Sequence, residues 1–237
     1  MSTFVFATDA RDASRGAVLA TASSLRGLGW GRRHWHLATT GSAPEVGRRI
    51  ALGDDSTAEW VVFIGAGDSI TRDALHFAAT ASPDVDVLYG DTRHDIKRAD
   101  RLPSYQRRPS YSPERLRSHN YIGDTLVARR RLVDDAGGLA ALTATDAHDR
   151  NLRLCELANQ VVRIPEIFTV TPSANFLPSA NPTAVAAHLK RVGISADVEF
   201  DAQTPAVRVK RHLTRRDRKS TRLNSSHVSE SRMPSSA

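Results

Sequence analysis

Short apolar runs alternate with helical patterns along the first part of the chain, and this alternation constrains its fold more than any other feature. The runs lie at 3–7, 35–38, 60–64 and 85–89. Each is short and almost continuously apolar, which is typical of strands buried on both faces. Between them, helices are predicted at 13–26, 44–52 and 72–79, the last with Thr71 as its N-cap. Strands and helices in this order predict an α/β fold with a mostly parallel central sheet and flanking helices.

Ligands of such sheets bind at the carboxyl ends of the strands. In this chain the loops after the first three predicted strands are 8–12, 39–42 and 65–70. These loops are therefore the predicted location of a ligand site.

The last part of the sequence, 217–237, has a different character. DRKSTRLNSSH and the final SRMPSSA can be encoded by the two ends of a common sequencing-library adapter, separated by a gap the size of an index. Composition alone would favour a disordered tail rich in Ser and Arg. We interpret 217–237 as a non-native, adapter-derived tail, and we expect the domain to fold without it.

Charge and hydropathy narrow the class of partners. The net charge is +7, and it falls to +5 without the tail, which carries four basic and two acidic residues. The remaining basic residues are dispersed without aromatic interleaving, so we expect no nucleic-acid partner. A basic surface leaves peripheral attraction to anionic lipid as an option. Since no apolar run is long enough to span a membrane and no signal-peptide pattern occurs, we expect a cytoplasmic protein, with the inner face of the membrane as the alternative location.

Four segments between Trp60 and Thr169 resemble, in the same order, the second half of a family-2 glycosyltransferase. They read WVVFIGAGDSI, DVDVLYGDTRHDI, YSPERLRSHNYIGDTLVARRRLVDDAGGL and DAHDRNLRLCELANQVVRIPEIFTV. The resemblance implies the GT-A nucleotide-diphospho-sugar transferase fold. It also implies inverting transfer of a sugar from a nucleotide sugar to a glycan or lipid-linked acceptor, in the synthesis of a bacterial cell-surface polysaccharide.

The resemblance implies a divalent cation, Mn²⁺ or Mg²⁺, held by an Asp-x-Asp motif after the third strand, because hard cations prefer carboxylate oxygens. Here the motif is incomplete: the loop reads Gly-Ala-Gly-Asp over 65–68. Asp68 is the predicted metal and donor ligand. The alternative, of equal weight, is that Asp68 only caps the turn into the next helix.

Three further residues are implied to bind the donor: Asp9, Thr40 and Asp91. Thr40 lies where the family has an Asp-Asp-Gly-Ser sequence after the second strand, and a polar turn without a ligand is the favoured alternative there. Asp91 matches an acid of the family's Tyr-Ser-Asp-Glu-Asp-Lys segment.

The family's general base lies in an acid-Asp-x-Asp-Leu-x-Leu-Arg pattern. In this chain Ala147 occupies the position of the base, and Asp146 precedes it by one residue. We predict Asp146 and Asp149 as the catalytic acids, with Asp146 accepting the proton of the acceptor hydroxyl. The alternative is that both acids only stabilise the positive end of a helix.

The predicted organisation has three parts: a GT-A-like domain at 1–170, a linker with a helix at 183–192 within 171–216, and the tail at 217–237. We expect the linker to lead toward a second glycosyltransferase domain that is missing from this chain. The alternative function is a catalytically degenerate domain that positions a glycan or acts as a scaffold. A Rossmann-type oxidoreductase is disfavoured because no Gly-x-Gly-x-x-Gly follows the first strand.

Overall fold

The structure is a computed structural model that describes residues 3–29, 35–38, 57–95, 103–172 and 180–212. Three sequence predictions lie outside these ranges: the ligand contact at Thr40, the helix at 44–52 and the tail at 217–237.

The strands within the described residues are β1 (Phe4–Asp9), β2 (Trp35–Ala38), β3 (Trp60–Phe63), β4 (Ser69–Ile70), β5 (Val85–His94), β6 (Ser104–Gln106), β7 (Leu126–Arg129), β8 (Gln160–Thr171), β9 (Ala196–Asp201) and β10 (Ala206–Arg211). The helices there are α1 (Arg15–Gly27), α2 (Arg72–Thr80), α3 (Pro113–Ser118), α4 (Arg130–Asp135), α5 (Leu139–Thr143), α6 (Ala147–Leu157) and α7 (Pro182–Arg191).

The central sheet has the order β2-β1-β3-β7-β5-β8-β4, with β6 paired to β5. Strands β1, β2, β3, β5 and β8 run in one direction, and β7, β4 and β6 run in the opposite one. This arrangement confirms the predicted α/β class with a mostly parallel sheet. It also places the start of β7 at the same edge as the end of β3.

Both faces of the sheet are covered by apolar side chains. In β3, Trp60 and Val62 join one buried cluster, whereas Val61 and Phe63 join another on the opposite face. Since successive side chains of a strand point to opposite faces, a strand buried on both sides must be apolar at every position. This requirement explains the continuous apolar runs seen in the sequence.

Two helix ends show how single residues begin or end a helix, and the first of them, Thr71, was predicted. Thr71 is the N-cap of α2, and its hydroxyl oxygen accepts a hydrogen bond from the Ala74 amide at 3.3 Å. Gly137 and Gly138 follow α4 with φ angles of 123° and 91°. Both angles lie in the region that glycine tolerates, as expected for residues that end a helix.

Strand β5 differs from the prediction, which ended it at Tyr89. The strand continues to His94 because its second half pairs with β6 on one side and with β8 on the other. Gly90 permits this close pairing, since a Cβ atom there would lie 2.4 Å from Phe168. Asp91 is therefore within a strand and not in the loop after it.

The C-terminal segment packs onto the sheet domain. Helix α7 agrees with the predicted helix at 183–192, and the antiparallel hairpin of β9 and β10 follows it. Val185, Leu189 and Val207 are buried in the same cluster as Val61 of β3. The division of the chain into domains stays a prediction. Within the described ranges, no helix has both the length and the apolar character needed to cross a membrane.

Candidate functional site

Several acids and two arginines meet at the edge of the sheet where β1 and β3 end and β7 begins. Asp9 is the last residue of β1, and Asp68 is in the loop after β3. Asp124 precedes β7, and Asp146 precedes α6. The guanidinium groups of Arg108 and Arg150 couple electrostatically to these acids, as described below.

Asp9 forms a two-point ion pair with Arg11. The Arg11 Nε and a terminal nitrogen donate to the two carboxylate oxygens at 2.9 and 2.6 Å, and the Arg11 amide donates at 3.1 Å. Partial burial raises the pKa of Asp9, but these hydrogen bonds and the arginine charge outweigh it and hold the pKa below its ordinary value. A nucleotide-sugar donor that binds at Asp9 would therefore contact both the Asp9 carboxylate and the Arg11 guanidinium group.

Asp68 folds back over the loop that contains it. Its backbone amide donates to the Gly65 carbonyl oxygen at 3.1 Å, and the Thr21 hydroxyl donates to its carbonyl oxygen at 3.1 Å. Burial raises the pKa of its carboxyl group to about 7, and the nearby Asp124 carboxylate acts in the same direction. A hydrogen bond with Thr171 and the charge of Arg108 oppose this rise without cancelling it. At neutral pH, Asp68 is thus partly protonated.

Asp124 is a member of this cluster that the sequence analysis did not single out. Its side chain is exposed, and a Cβ atom added to Gly65 would lie 3.5 Å from the Asp124 Cβ. The pairing of Phe63 with Leu126, continued by two residues, sets Asp124 opposite Gly65. In the sequence, the one feature that could have indicated Asp124 is its position two residues before the apolar run that begins at Leu126.

Arg108 and Arg150 bring positive charge into the cluster. One terminal nitrogen of Arg108 donates to the Tyr121 carbonyl oxygen at 2.6 Å, and the other donates to the Thr92 hydroxyl at 3.1 Å. Burial lowers the pKa of Arg108, while the carboxylates of Asp124, Asp91 and Asp68 act in the opposite direction. An arginine remains charged at neutral pH under such conditions.

Arg150 is 5% exposed, and its guanidinium carbon lies 4.6 Å from the centre of the Phe63 ring. One terminal nitrogen donates to the Asp124 carbonyl oxygen at 2.8 Å. Burial lowers its pKa, and the acids that oppose this effect are Asp124, Asp146 and Asp9. This single arginine is therefore close to acids from three separate elements.

Asp91 occupies a more enclosed position. A terminal nitrogen of Arg163 donates to both of its carboxylate oxygens at 2.9 and 3.0 Å, and the Arg108 amide donates at 2.9 Å. The Asp91 residue is buried. In the structure Asp91 holds Arg108 and Arg163 in place, and its contact with a nucleotide-sugar donor stays a prediction.

The two predicted catalytic acids have different surroundings. Asp146 is exposed and is the N-cap of α6, where one carboxylate oxygen accepts from the amides of His148 and Asp149 at 2.9 and 3.3 Å. Asp149 pairs with Arg153 at 2.9 Å and with Arg191 of α7 at 3.4 Å. The helix-end alternative thus describes their present contacts, and only Asp146 adjoins the cluster, through Arg150.

His148 connects the start of α6 to two other helices. It is fully buried, its Nε2 atom lies 2.6 Å from the Leu116 carbonyl oxygen, and its Nδ1 atom accepts from the Asn181 amide at 3.0 Å. Burial lowers its pKa. These contacts require a neutral ring with the proton on Nε2, and they fix the helix end that carries Asp146.

The cluster lacks the acids that a divalent cation site of the Asp-x-Asp type needs. Asp68 is the single acid of the 65–68 loop, its pKa is raised to about 7, and Arg108 lies nearby. Among the described residues, no group of three or more His, Cys, Asp or Glu side chains could hold a metal ion. The residues present therefore do not fit the predicted Asp-x-Asp type of cation site.

Comparison with known proteins finds a sequence relative named as an O-antigen biosynthesis protein and several solved structures. The chain is 30% identical over 159 residues to the O-antigen biosynthesis protein RfbC of Myxococcus xanthus, which covers 61% of this chain and 12% of that protein. Among solved structures, it is similar to the mannosyltransferase PcManGT from Pyrobaculum calidifontis in complex with GDP-Man and Mn²⁺, with 14% identity and a TM-score of 0.44. The predicted resemblance to glycosyltransferases is confirmed. No protein-family model matches the chain.

A second similar structure is that of residues 1–349 of S. aureus TarS in complex with UDP, with 12% identity and a TM-score of 0.49. The PcManGT match covers 73% of this chain and 58% of that chain, and the match to TarS 1–349 covers 80% and 64%. The chain thus spans less than two thirds of each of these glycosyltransferase neighbours and a small part of the Myxococcus relative.

Proposed function

We propose that this chain transfers a sugar from a nucleotide-sugar donor to a glycan or lipid-linked acceptor in the synthesis of a bacterial cell-surface polysaccharide. The observation that carries the proposal is the cluster of Asp9, Asp68, Asp124 and Asp146 around Arg108 and Arg150 at the carboxyl edge of the sheet. This edge is where α/β sheets bind their ligands. The sequence relative in O-antigen biosynthesis supports the same biological role.

The proposed reaction needs positive charge for the diphosphate and a base for the acceptor. The base removes the proton from the acceptor hydroxyl as its oxygen forms a bond to the anomeric carbon. The bond from that carbon to the diphosphate breaks, and its electron pair leaves with the diphosphate. Asp146 is our candidate base, since it is exposed and lies beside the cluster.

The arginines of the site favour binding of the nucleotide-sugar donor without a large contribution from a metal ion. Arg11, Arg108 and Arg150 bring positive charge that attracts the phosphates, whereas Asp68 alone cannot supply the carboxylates of an Asp-x-Asp pair. We therefore expect weak and nearly metal-independent binding of the nucleotide sugar.

Calorimetric titration of UDP-, GDP- and dTDP-sugars, each with Mn²⁺ and with a chelator, tests the proposal. Binding of at least one of these donors, changed little by the chelator, is the expected result. Absence of binding by every donor would refute the proposed function. Tight binding that strictly requires Mn²⁺ would instead show that the metal ligands lie elsewhere.

A non-catalytic domain that positions a glycan is the second candidate function. It is favoured by the capping contacts of Asp146 and by the ion pairs of Asp149. Release of nucleoside diphosphate from a bound donor, measured with polysaccharide acceptors, separates the two candidates, because a glycan-positioning domain would release none.

The proposed function also predicts where the protein acts and which domain it works with. We infer a cytoplasmic site of action at the inner face of the membrane, where a lipid-linked acceptor would be available, and a second glycosyltransferase domain as the partner of this one. Sedimentation of the protein with vesicles that contain anionic lipid would test the membrane contact.

A further inference from the structure

Asp124 differs from the other acids of the cluster in having no ion pair or hydrogen bond to its carboxylate within the described part of the chain. Asp9 is paired with Arg11, the Asp68 carboxyl group forms a hydrogen bond with Thr171, and Asp146 accepts from two amides of α6. Asp124 is nevertheless exposed and close to the charges of Arg108 and Arg150. Its carboxylate is thus available to a ligand.

The backbone around Asp124 is fixed by hydrogen bonds from α6 and from its own loop. The side-chain amide of Asn151 donates to the Gly123 carbonyl oxygen and to the Asn120 side-chain oxygen, both at 2.8 Å. Asn120 accepts from the Gly123 amide at 3.2 Å, and Arg150 donates to the Asp124 carbonyl oxygen at 2.8 Å. A rigid support of this kind positions the Asp124 side chain before any ligand arrives, as binding sites require.

Asp124 also lies beside position 65, where the Asp68 carboxylate leaves no room for a side chain. A Cβ atom on Gly65 would lie 2.7 Å from an Asp68 carboxylate oxygen and 3.5 Å from the Asp124 Cβ. Gly65 and Asp124 both lie just beyond the paired ends of β3 and β7, where Phe63 is opposite Leu126. The Asp124 side chain is therefore beside the 65–68 loop, whose own single acid is Asp68.

From these contacts we propose that Asp124 binds the sugar of the donor, and that its carboxylate accepts hydrogen bonds from the sugar hydroxyl groups. The inference rests on the proposed function. The positive charges of Arg108 and Arg150 suit the diphosphate, and the negative charge of Asp124 suits hydroxyl donors. Removal of the Asp124 charge should then affect recognition of the sugar and not of the nucleoside diphosphate.

The test compares a nucleotide sugar with the corresponding nucleoside diphosphate. UDP-GlcNAc with UDP, and GDP-mannose with GDP, are titrated into the unaltered protein and into Asp124→Asn, with chelator present. A charged hydrogen bond lost from the sugar should weaken nucleotide-sugar binding on the order of 10- to 100-fold. Binding of the nucleoside diphosphate should stay within about twofold.

Asp84→Asn is the matched control, since Asp84 is an exposed acid in the turn before β5, at the opposite edge of the sheet. It should bind both ligands as the unaltered protein does. Asp124→Asn should keep its fold, because the bonds that fix the loop use the backbone of residue 124. Its thermal midpoint should fall only slightly, with loss of the charge that Asp124 presents to Arg108 and Arg150.

Three results would overturn the inference. If Asp124→Asn binds both ligands normally, or loses both equally, the carboxylate does not recognise the sugar. If Mn²⁺ strengthens binding only while Asp124 is intact, Asp124 is a metal ligand instead. If the unaltered protein binds neither kind of ligand, the proposed function itself fails, which distinguishes that failure from an error about Asp124 alone.

Discussion

Replacement of Asp68 by Asn should make the stability of the protein less dependent on pH. The carboxyl group of Asp68 has its pKa raised from 3.8 to about 7, chiefly by burial. At about 1.4 kcal/mol per pKa unit, this difference corresponds to about 4 kcal/mol between the two protonation states. The side chain of Asn has nearly the same shape and stays neutral at every pH, so it imitates the protonated acid.

The sign follows from proton binding. Folded protein holds the Asp68 proton more tightly than unfolded protein does, so the associated stability is complete below about pH 4 and is lost as the pH rises to about 7. Between pH 5 and pH 8 the unaltered protein should lose about 2 to 3 kcal/mol from this group. Asp68→Asn lacks this loss, and it should therefore gain that amount relative to the unaltered protein.

Urea unfolding of both proteins at pH 5 and pH 8, with chelator present, measures the effect as a difference between two free energies of unfolding. Asp84→Asn, which removes an exposed acid outside the site, controls for the general effect of one fewer negative charge. A difference between Asp68→Asn and the unaltered protein that is the same at both pH values would refute the view that Asp68 is protonated by burial.

Two further predictions concern the strand core and the candidate base. Gly90→Ala should destabilise the fold by about 1 to 3 kcal/mol, because its Cβ would overlap Phe168. The control is Gly27→Ala, since a Cβ there would meet open space. Equal thermal midpoints for the two variants would contradict the close packing at Gly90. Asp146→Asn should reduce turnover on the order of a hundred- to ten-thousand-fold and keep the fold, since Asn caps helices as well as Asp. Asp149→Asn should lose only about 0.3 to 1 kcal/mol of stability, the contribution of a charge at the positive end of a helix. Full turnover by Asp146→Asn would exclude Asp146 as the base.

The elements that sequence predicts well are those whose burial is uniform. Strands β1 and β3 are apolar at nearly every buried position because both faces of the sheet are covered there, and helix α2 begins at its expected cap, Thr71. The second half of β5 was not predicted. It contains polar residues such as Asp91, whose carboxylate pairs with Arg163 of β8, and Arg93, which pairs with Asp95 two residues later.

The candidate site was predictable only in part, for a related reason. Asp9 ends strand β1, Asp68 follows β3 and Asp146 precedes α6. Their positions at the ends of predictable elements made them recognisable as candidate site residues. The role of Asp124 depends on the register between β3 and β7, and that of Arg150 depends on where α6 meets the sheet. Such pairings join residues far apart in the sequence, and no local pattern specifies them.

The site and the C-terminal segment are joined mechanically through α6. Its first turn supports Asp124 through Arg150 and Asn151. The same turn contacts the C-terminal segment, where His148 accepts from the Asn181 amide and Asp149 pairs with Arg191. Because both sets of contacts share one turn of helix, displacement of α7 would move the supports of the Asp124 loop. Residues 180–212 therefore belong to the structural support of the site, even though none of the predicted catalytic or ligand-binding residues lies within them.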